Sequence, residues 1–433
     1  MKDFLFISLC IVFLSCSNNV RTIYLRPLGT PSPNVCIKTH HLSKDTTRVY
    51  YKIPSEFIVC SRDPHSSRYR GRAYMQCAFY SYPTASTLLF STSSTIEIDT
   101  THIPCEGFCG QIDLAIPQGE KYTIRITIND ANSPQKNSAL FFLDKKSDYN
   151  PSLFLLKDSI GNIIYDNFTS HHDSVSIHIA QGYVPYIYIT RYNSQTRHAA
   201  PSYVLGSDDS EKFKTDTTFV IENGEKVVLS PQGLYLLRID SSHNRGYCLL
   251  SLYDGFPAIT QKEALIPAMR YICSAEEYNH IRYSPMGKTA VEKLWLKSGG
   301  SLSNAQRMIR EYYSRAEYAN RNFSSYKEGI LTDRGMIYII YGPPTKVYQA
   351  TTSQRWIYGD EASGLEVSYT FDKVDNPFSD EVYILQRNLN KKSMWETAVK
   401  SWREGKIFDN NEIKKIQQEY DRQRYYDTYH IWY

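Results

Sequence analysis

The 433-residue chain has few features that would carry chemistry or cross a bilayer. Beyond an apolar run from Phe4 to Leu14, no uninterrupted apolar stretch nears the roughly 20 residues a membrane-spanning helix requires. Charge of one sign is also scarce. The 49 Lys and Arg exceed the 45 Asp and Glu by only four, too weak a field to argue for nucleic acid. Gly-x-Ser-x-Gly, His-Glu-x-x-His and P-loop spacings are all missing, which removes the commonest hydrolase, zinc-peptidase and nucleotide-binding signatures. No cofactor and no metal is implied.

What is present begins at the N-terminus. Lys2, the apolar run and Ser15-Cys16 have the layout of a bacterial secretory signal ending at a lipidated cysteine. The expectation is a signal peptide over residues 1–15, with Cys16 as the mature N-terminus and lipid site. Setting Cys10 and Cys16 aside, seven cysteines remain, so at least one has no partner within the chain. In an oxidising envelope Cys105 and Cys109 are spaced to close a small disulfide loop, and Cys60 with Cys77 could join neighbouring strands. Cys105 and Cys109 lack the second pair that a zinc site would need.

Tyrosine is plentiful, with 36 in the chain. That suits a strand-rich exported protein, in which a half-buried ring leaves its hydroxyl in water. Residues 16–45 are rich in Ser, Asn, Pro and Thr and read as a tether. Between 46 and 131 apolar residues recur with period two, as in Tyr122, Ile124, Ile126 and Ile128, predicting a first β-sandwich. Residues 131–137, Ala-Asn-Ser-Pro-Gln-Lys-Asn, read as a linker. A second run of short strands over 137–255 predicts a second sandwich, and the architecture expected for the pair is immunoglobulin-like. The long polar loop from Asn193 to Lys214 is either mobile or a contact site.

From 257 to 328 the period becomes helical. Ser274-Ala-Glu-Glu277 and Ser303-Asn-Ala-Gln306 are capping boxes, and Ala305, Ile309, Tyr312, Ala316, Ala319 and Phe323 share one helix face, leaving Arg315 on another. From 329 to 433 the pattern predicts a small α+β domain: strands at Met336–Tyr341, Arg355–Tyr358, Leu365–Phe371 and Glu381–Gln386, then two terminal helices. The fold class expected overall is mainly β with an α+β C-terminal part.

The segment Gly329-Ile-Leu-Thr-Asp-Arg-Gly335, followed by an apolar run and Tyr341-Gly342-Pro343-Pro344, resembles the signature of GWxTD-domain proteins, mostly lipoproteins of Bacteroidota-like bacteria. Glu311-Tyr312-Tyr313-Ser314-Arg315, Leu294-Trp295 and Arg355-Trp356-Ile357-Tyr358 resemble further family segments, over roughly 257–388. Ile330 stands where the motif has its Trp. Read physically, Thr332-Asp333-Arg334-Gly335 is a turn or cap ahead of a strand, Gly342-Pro343-Pro344 stops that strand, and Arg334 can pair with Asp333, Glu328 or another acid. The other reading makes Asp333 a catalytic acid or base with Arg334 holding an anion.

Elsewhere His171-His172-Asp173, with His178 nearby, reads as a solvated cluster rather than a metal site. The leading expectation is an outer-membrane lipoprotein, anchored by its lipid on the periplasmic face, that binds or scaffolds another envelope protein without catalysis. The second is a carbohydrate- or peptidoglycan-binding lipoprotein, and the third an Asp333-dependent hydrolase.

Overall fold

A computed structural model describes residues 23–25, 35–83, 85, 87–102, 107–180, 185–194, 196–206, 211–361 and 366–430. Cys16 and the signal segment lie outside these residues. The protein is mainly β, with antiparallel sheets in its N-terminal part and helices in its C-terminal part.

The first unit packs two sheets face to face. Thr46–Ile53 lies between Cys36–His41 and Phe108–Ala115 in one, and Tyr69–Ser81 is the central strand of the other. Alternation decides which side chains face inward: Val49 and Ile53 from the first sheet meet Met75, Phe79, Ile124 and Ile126 from the second, all at most 1% exposed.

Three expectations need correction here. The end of the expected tether is a strand, Cys36–His41, paired with Thr46–Ile53. Residues 131–135 form a hairpin turn, not a linker, because the Asp130 amide donates to the Gln135 carbonyl at 3.0 Å, and 136–137 already belong to the next strand. The strand after it, Lys136–Asp144, pairs with Lys121–Asp130 in this first unit and not in the second. Strand Leu88–Thr100 carried no alternation signal because, as an edge strand rich in Ser and Thr, it leaves both faces largely to solvent.

The second unit opposes a three-stranded sheet (Phe154–Lys157, Ser174–Ile179, Lys226–Val228) to a five-stranded one (Phe168–Ser170, Tyr247–Leu252, Gly233–Arg238, Tyr186–Ser194, Phe213–Glu222). Leu156, Ile177, Ile187, Ile189, Leu237 and Leu249 fill the space between them. Ile163 contributes only an isolated bridge to Lys157. The five-stranded sheet is buried on both faces. Leu234, Leu236, Cys248 and Leu250 point away from the sandwich core and pack on Tyr326, Phe378 and Val382.

That second face seats the C-terminal part. Helices α1 (Lys262–Ala268), α2 (Ala275–Tyr283), α3 (Gly287–Gly299) and α4 (Leu302–Phe323) lead to α5 (Asp333–Tyr341), followed by the antiparallel strands Lys346–Gln349, Ser353–Tyr358, Val367–Lys373 and Tyr383–Leu385. Helices α6 (Lys392–Arg403) and α7 (Asn410–His430) close the chain. The backbone of Ile23–Leu25 pairs antiparallel with Lys346–Gln349 and forms the outer edge of this last sheet. No helix among the described residues is long and apolar enough to cross a membrane.

The expected strand Met336–Tyr341 is a helix. Every residue of α5 is buried, so no polar face marks a helical period, and a short all-apolar run reads equally as either element. The Ser274–Glu277 capping box forms as expected, but α4 is capped by Ser301, which accepts from the Asn304 amide, and not by Ser303.

Candidate functional site

The motif segment forms a tight corner on α4. Gly329, Ile330 and Leu331 make one 3-10 turn, and Thr332 then caps α5, its Oγ1 accepting from the Gly335 amide at 3.1 Å while donating to the Gly329 carbonyl at 2.8 Å. Both glycines are required by close approach. A Cβ on Gly329 would sit 1.9 Å from the Ala319 carbonyl oxygen, and one on Gly335 would sit 1.8 Å from the Gly329 oxygen. The backbone between them is held from both sides. Asn320 Oδ1 accepts from the Ile330 amide at 3.0 Å, and the Tyr271 hydroxyl donates to the Ile330 carbonyl at 2.6 Å. The Ile330 side chain is 1% exposed in the core. It is a packing residue, not a platform.

Asp333 points inward. Its Oδ2 accepts from the Leu385 amide at 2.8 Å, and its Oδ1 accepts from Arg387 Nη2 at 2.6 Å. Arg387 also donates to the Ala200 carbonyl at 3.3 Å, so one guanidinium links the motif to the 196–206 segment. That segment is the contact alternative of the loop expectation: Ala199 donates to the Leu331 carbonyl and Asn388 to the Ser202 carbonyl. Of the acids expected, Arg334 pairs with neither Asp333 nor Glu328 but with another, the Glu381 carboxylate at 3.9 Å. Its guanidinium lies 4.1 Å from the Tyr383 ring centroid and donates to the Glu381 carbonyl at 3.1 Å.

The far end of α5 is held as firmly. Gly342 takes a positive φ of 77°, and its amide donates to Tyr338. A Cβ there would meet the Arg315 guanidinium at 2.8 Å. Arg315, expected off the apolar face, is 4% exposed. It donates to Glu311 at 2.7 Å and to the Phe408 carbonyl at 2.9 Å, with its guanidinium over Trp402. Pro343 offers its carbonyl to Asn410 at 2.6 Å, and the Tyr358 hydroxyl reaches the Gly342 carbonyl at 3.0 Å. Pro344, Tyr341 and Trp356 are buried, and Trp356 Nε1 is used by Gln354. Tyr271 and Tyr358 are core residues whose hydroxyls tie down carbonyls, and Tyr341 is buried beside them, unlike the half-wet strand tyrosines expected.

One titratable group beside the motif is different. Glu328 makes no side-chain hydrogen bond among the described residues, and burial alone pushes its carboxyl up to about 7. A small cleft of about 40 Å³ opens over Thr332, Asp333, Arg334 and Tyr383. It holds little more than a water, and both Asp333 oxygens are engaged behind it.

The remaining expectations separate. His171 and His172 come together with Asp254, which the sequence reading missed, and one ligand atom from each lies within 4.8 Å of the others. His172 Nδ1 is 2.8 Å from Asp254, and His171 Nδ1 donates to the Leu252 carbonyl at 3.0 Å. His178 stands apart on Ser176. Cys109 is an exposed free thiol, and Cys105, its expected disulfide partner, lies outside the described residues. Cys60 and Cys77 are free too. Cys60 adjoins Gly71, six residues along the strand from Cys77, which turns into the core.

A second opening lies elsewhere. A cleft of about 440 Å³ lies where the first unit (Tyr82, Lys121, Phe142, Asp144), the second (Tyr149, Arg245) and the C-terminal sheet (Lys373, Asp375, Asp380) meet. Lys121 pairs with Asp144 at 2.9 Å and Arg245 with Asp375. No sequence pattern announced this cleft, because its walls come from segments up to about 300 residues apart.

A family model described as the GWxTD domain matches residues 233–404. The match begins with strands Gly233–Arg238 and Tyr247–Leu252, so it takes in two strands of the sheet that seats the C-terminal part. No curated protein matches the chain.

Proposed function

We propose that this chain, which belongs to the GWxTD domain-containing family, is a lipid-anchored envelope protein that binds or scaffolds a partner without catalysis. The observation that carries this reading is how the motif's polar groups are used. Asp333 is committed to Arg387 and the Leu385 amide, Arg334 to Tyr383 and Glu381, and Arg315 to Glu311 and the Phe408 carbonyl. A catalytic acid must reach its substrate, and Asp333 is turned away from the surface into structural bonds.

The cellular address rests on Lys2, the Phe4–Leu14 run and Cys16, which suit a lipidated outer-membrane protein. Ser17-Asn18-Asn19 after the lipid site lacks acidic residues and favours the periplasmic face. Crosslinking in intact cells, followed by co-purification from native membranes, tests the role. A stoichiometric envelope protein recovered with the chain supports the scaffold. Recovery of the chain alone, with hydrolytic activity that disappears in Asp333→Asn while folding is kept, would replace it by an enzyme.

A second reading, a carbohydrate-binding lipoprotein, is favoured by one observation. The 440 Å³ cleft combines aromatic rings with paired charges.

A further inference from the structure

We propose that the cleft between the two sandwiches and the C-terminal sheet is a binding site for a neutral oligosaccharide. The proposal rests on the carbohydrate reading and adds the site, the contacting residues and the charge class of the ligand.

The charge pattern narrows the chemistry. Lys121, Arg245 and Lys373 are balanced by Asp144, Asp375 and Asp380. Two of the cations are already paired within the cleft, and Lys373 lies 3.6 Å from the centroid of the Phe142 ring and 3.8 Å from Glu381. A strongly anionic ligand would face three carboxylates and compete with the existing pairs. An apolar ligand would strip water from charged groups and give nothing back. A neutral polyhydroxyl ligand meets neither penalty, since its hydroxyls donate to carboxylate lone pairs left over and accept from N–H groups left over, with the ion pairs intact.

Asp380 is the acceptor best placed for this. It is open to the cleft, and its carboxylate has no hydrogen-bond or ion-pair partner among the described residues. Burial by the surrounding walls raises its proton affinity, although Lys373, Arg245 and Lys121 pull the other way. Such a carboxylate, open and unpaired, is free to accept from a ligand hydroxyl.

The aromatic side of the cleft supplies the other half of sugar recognition. Tyr82 is 39% exposed and is braced edge-on by Phe142, with ring centroids 5.7 Å apart. Tyr149 is stacked on His243 at 3.5 Å, which fixes its plane. A braced ring with a free face can cover the C–H face of a sugar while the polar wall takes its hydroxyls. The volume lies within the range of small-ligand sites, about 300–1,000 Å³, and accommodates a short oligosaccharide better than a protein surface.

The test is titration calorimetry of the purified protein against maltotetraose, cellotetraose and chitotetraose, with inorganic phosphate as the anionic probe, up to millimolar concentration. The variants are Tyr82→Ala and Asp380→Asn, both at the cleft and outside the packed cores, with circular dichroism reporting folding. The expected result is binding of at least one tetrasaccharide, weakened tenfold or more by each variant. Binding that both folded variants retain overturns the site and leaves the carbohydrate reading standing. Absence of binding to every tetrasaccharide overturns both. Binding of phosphate in preference to the sugars overturns the charge class.

Discussion

Arg387 donates to Asp333 across 2.6 Å, and the two side chains are 7% and 6% exposed. They are 54 residues apart, one opening helix α5 and the other leaving the last strand of the sheet that α5 supports. The pair therefore closes the C-terminal domain at the point where its helical and sheet halves would otherwise separate.

Truncating one member of a buried ion pair strands the other charge, at a cost of about 3–5 kcal/mol. Asp333→Ala is expected to lower the unfolding free energy by about that amount, and Arg387→Met somewhat less, since the Leu385 amide still satisfies Asp333. The double variant should cost less than the sum of the two. Urea denaturation measures all three. Additive losses, or an Asp333→Ala protein as stable as the wild type, would show that the pair does not hold the domain together.

The glycine at the corner gives a sharper outcome. At Gly329 the nearest obstacle to a Cβ is backbone, the Ala319 oxygen at 1.9 Å, and backbone within α4 cannot step aside as a flexible side chain would. Gly329→Ala should fail to give soluble folded protein, whereas Gly119→Ala, where no atom lies within 4 Å, should fold despite a positive φ. Equal solubility of the two variants would refute the close approach.

These two positions show what the sequence makes legible and what it hides. Period-two alternation in Tyr122–Ile128 revealed a strand directly, because one face is apolar core and the other carries Thr123, Arg125 and Thr127. Met336–Tyr341 misled, since burial on all sides erases the period that separates helix from strand. The cap that settles the matter, Thr332 on the Gly335 amide, uses the same residues that suggest a turn. Residues 131–137 carry a hairpin turn's composition, which is also a linker's. The motif itself was recognisable, yet its partner Arg387 was not, because a lone Arg after a strand carries no local signal. The cleft was invisible for the same reason. Its walls are set by tertiary packing, and only folding brings Tyr82, Arg245 and Asp380 together.

Glu328 adds a pH dependence of defined sign. Its carboxyl titrates near 7 in the folded protein and at its ordinary value, near 4.5, when unfolded. Between those limits the folded state holds the proton more tightly, so its contribution to stability is fully present below about 4.5 and is lost as pH rises through 7. Glu328→Gln should be more stable than wild type at about pH 8 and nearly equal to it at about pH 4.5. Thermal melts at the two pH values decide this, and an equal difference at both would mean the carboxyl is not held protonated.

The histidines oppose that trend. His41 is 3% exposed, with Nε2 donating to the Asp144 carbonyl at 3.1 Å and Nδ1 lying 2.9 Å from the Thr47 hydroxyl. Burial, with Lys145 nearby, lowers its affinity for a proton to about 4. His198, whose Nε2 donates to the Pro267 carbonyl at 2.8 Å, is likewise lowered to about 4 by burial. For both, the unfolded chain takes up the proton first, so stability is present above 6.5 and is lost as pH falls from 6.5 to 4. A group as buried as His41 would forfeit about 3 kcal/mol over that window, and His198 less. His41→Gln keeps a donor for Asp144 without a titrating ring. Its urea midpoint should change less between about pH 7 and pH 4.5 than the wild-type midpoint does. A variant that loses stability on acidification as steeply as the wild type would place the acid sensitivity of the fold outside His41.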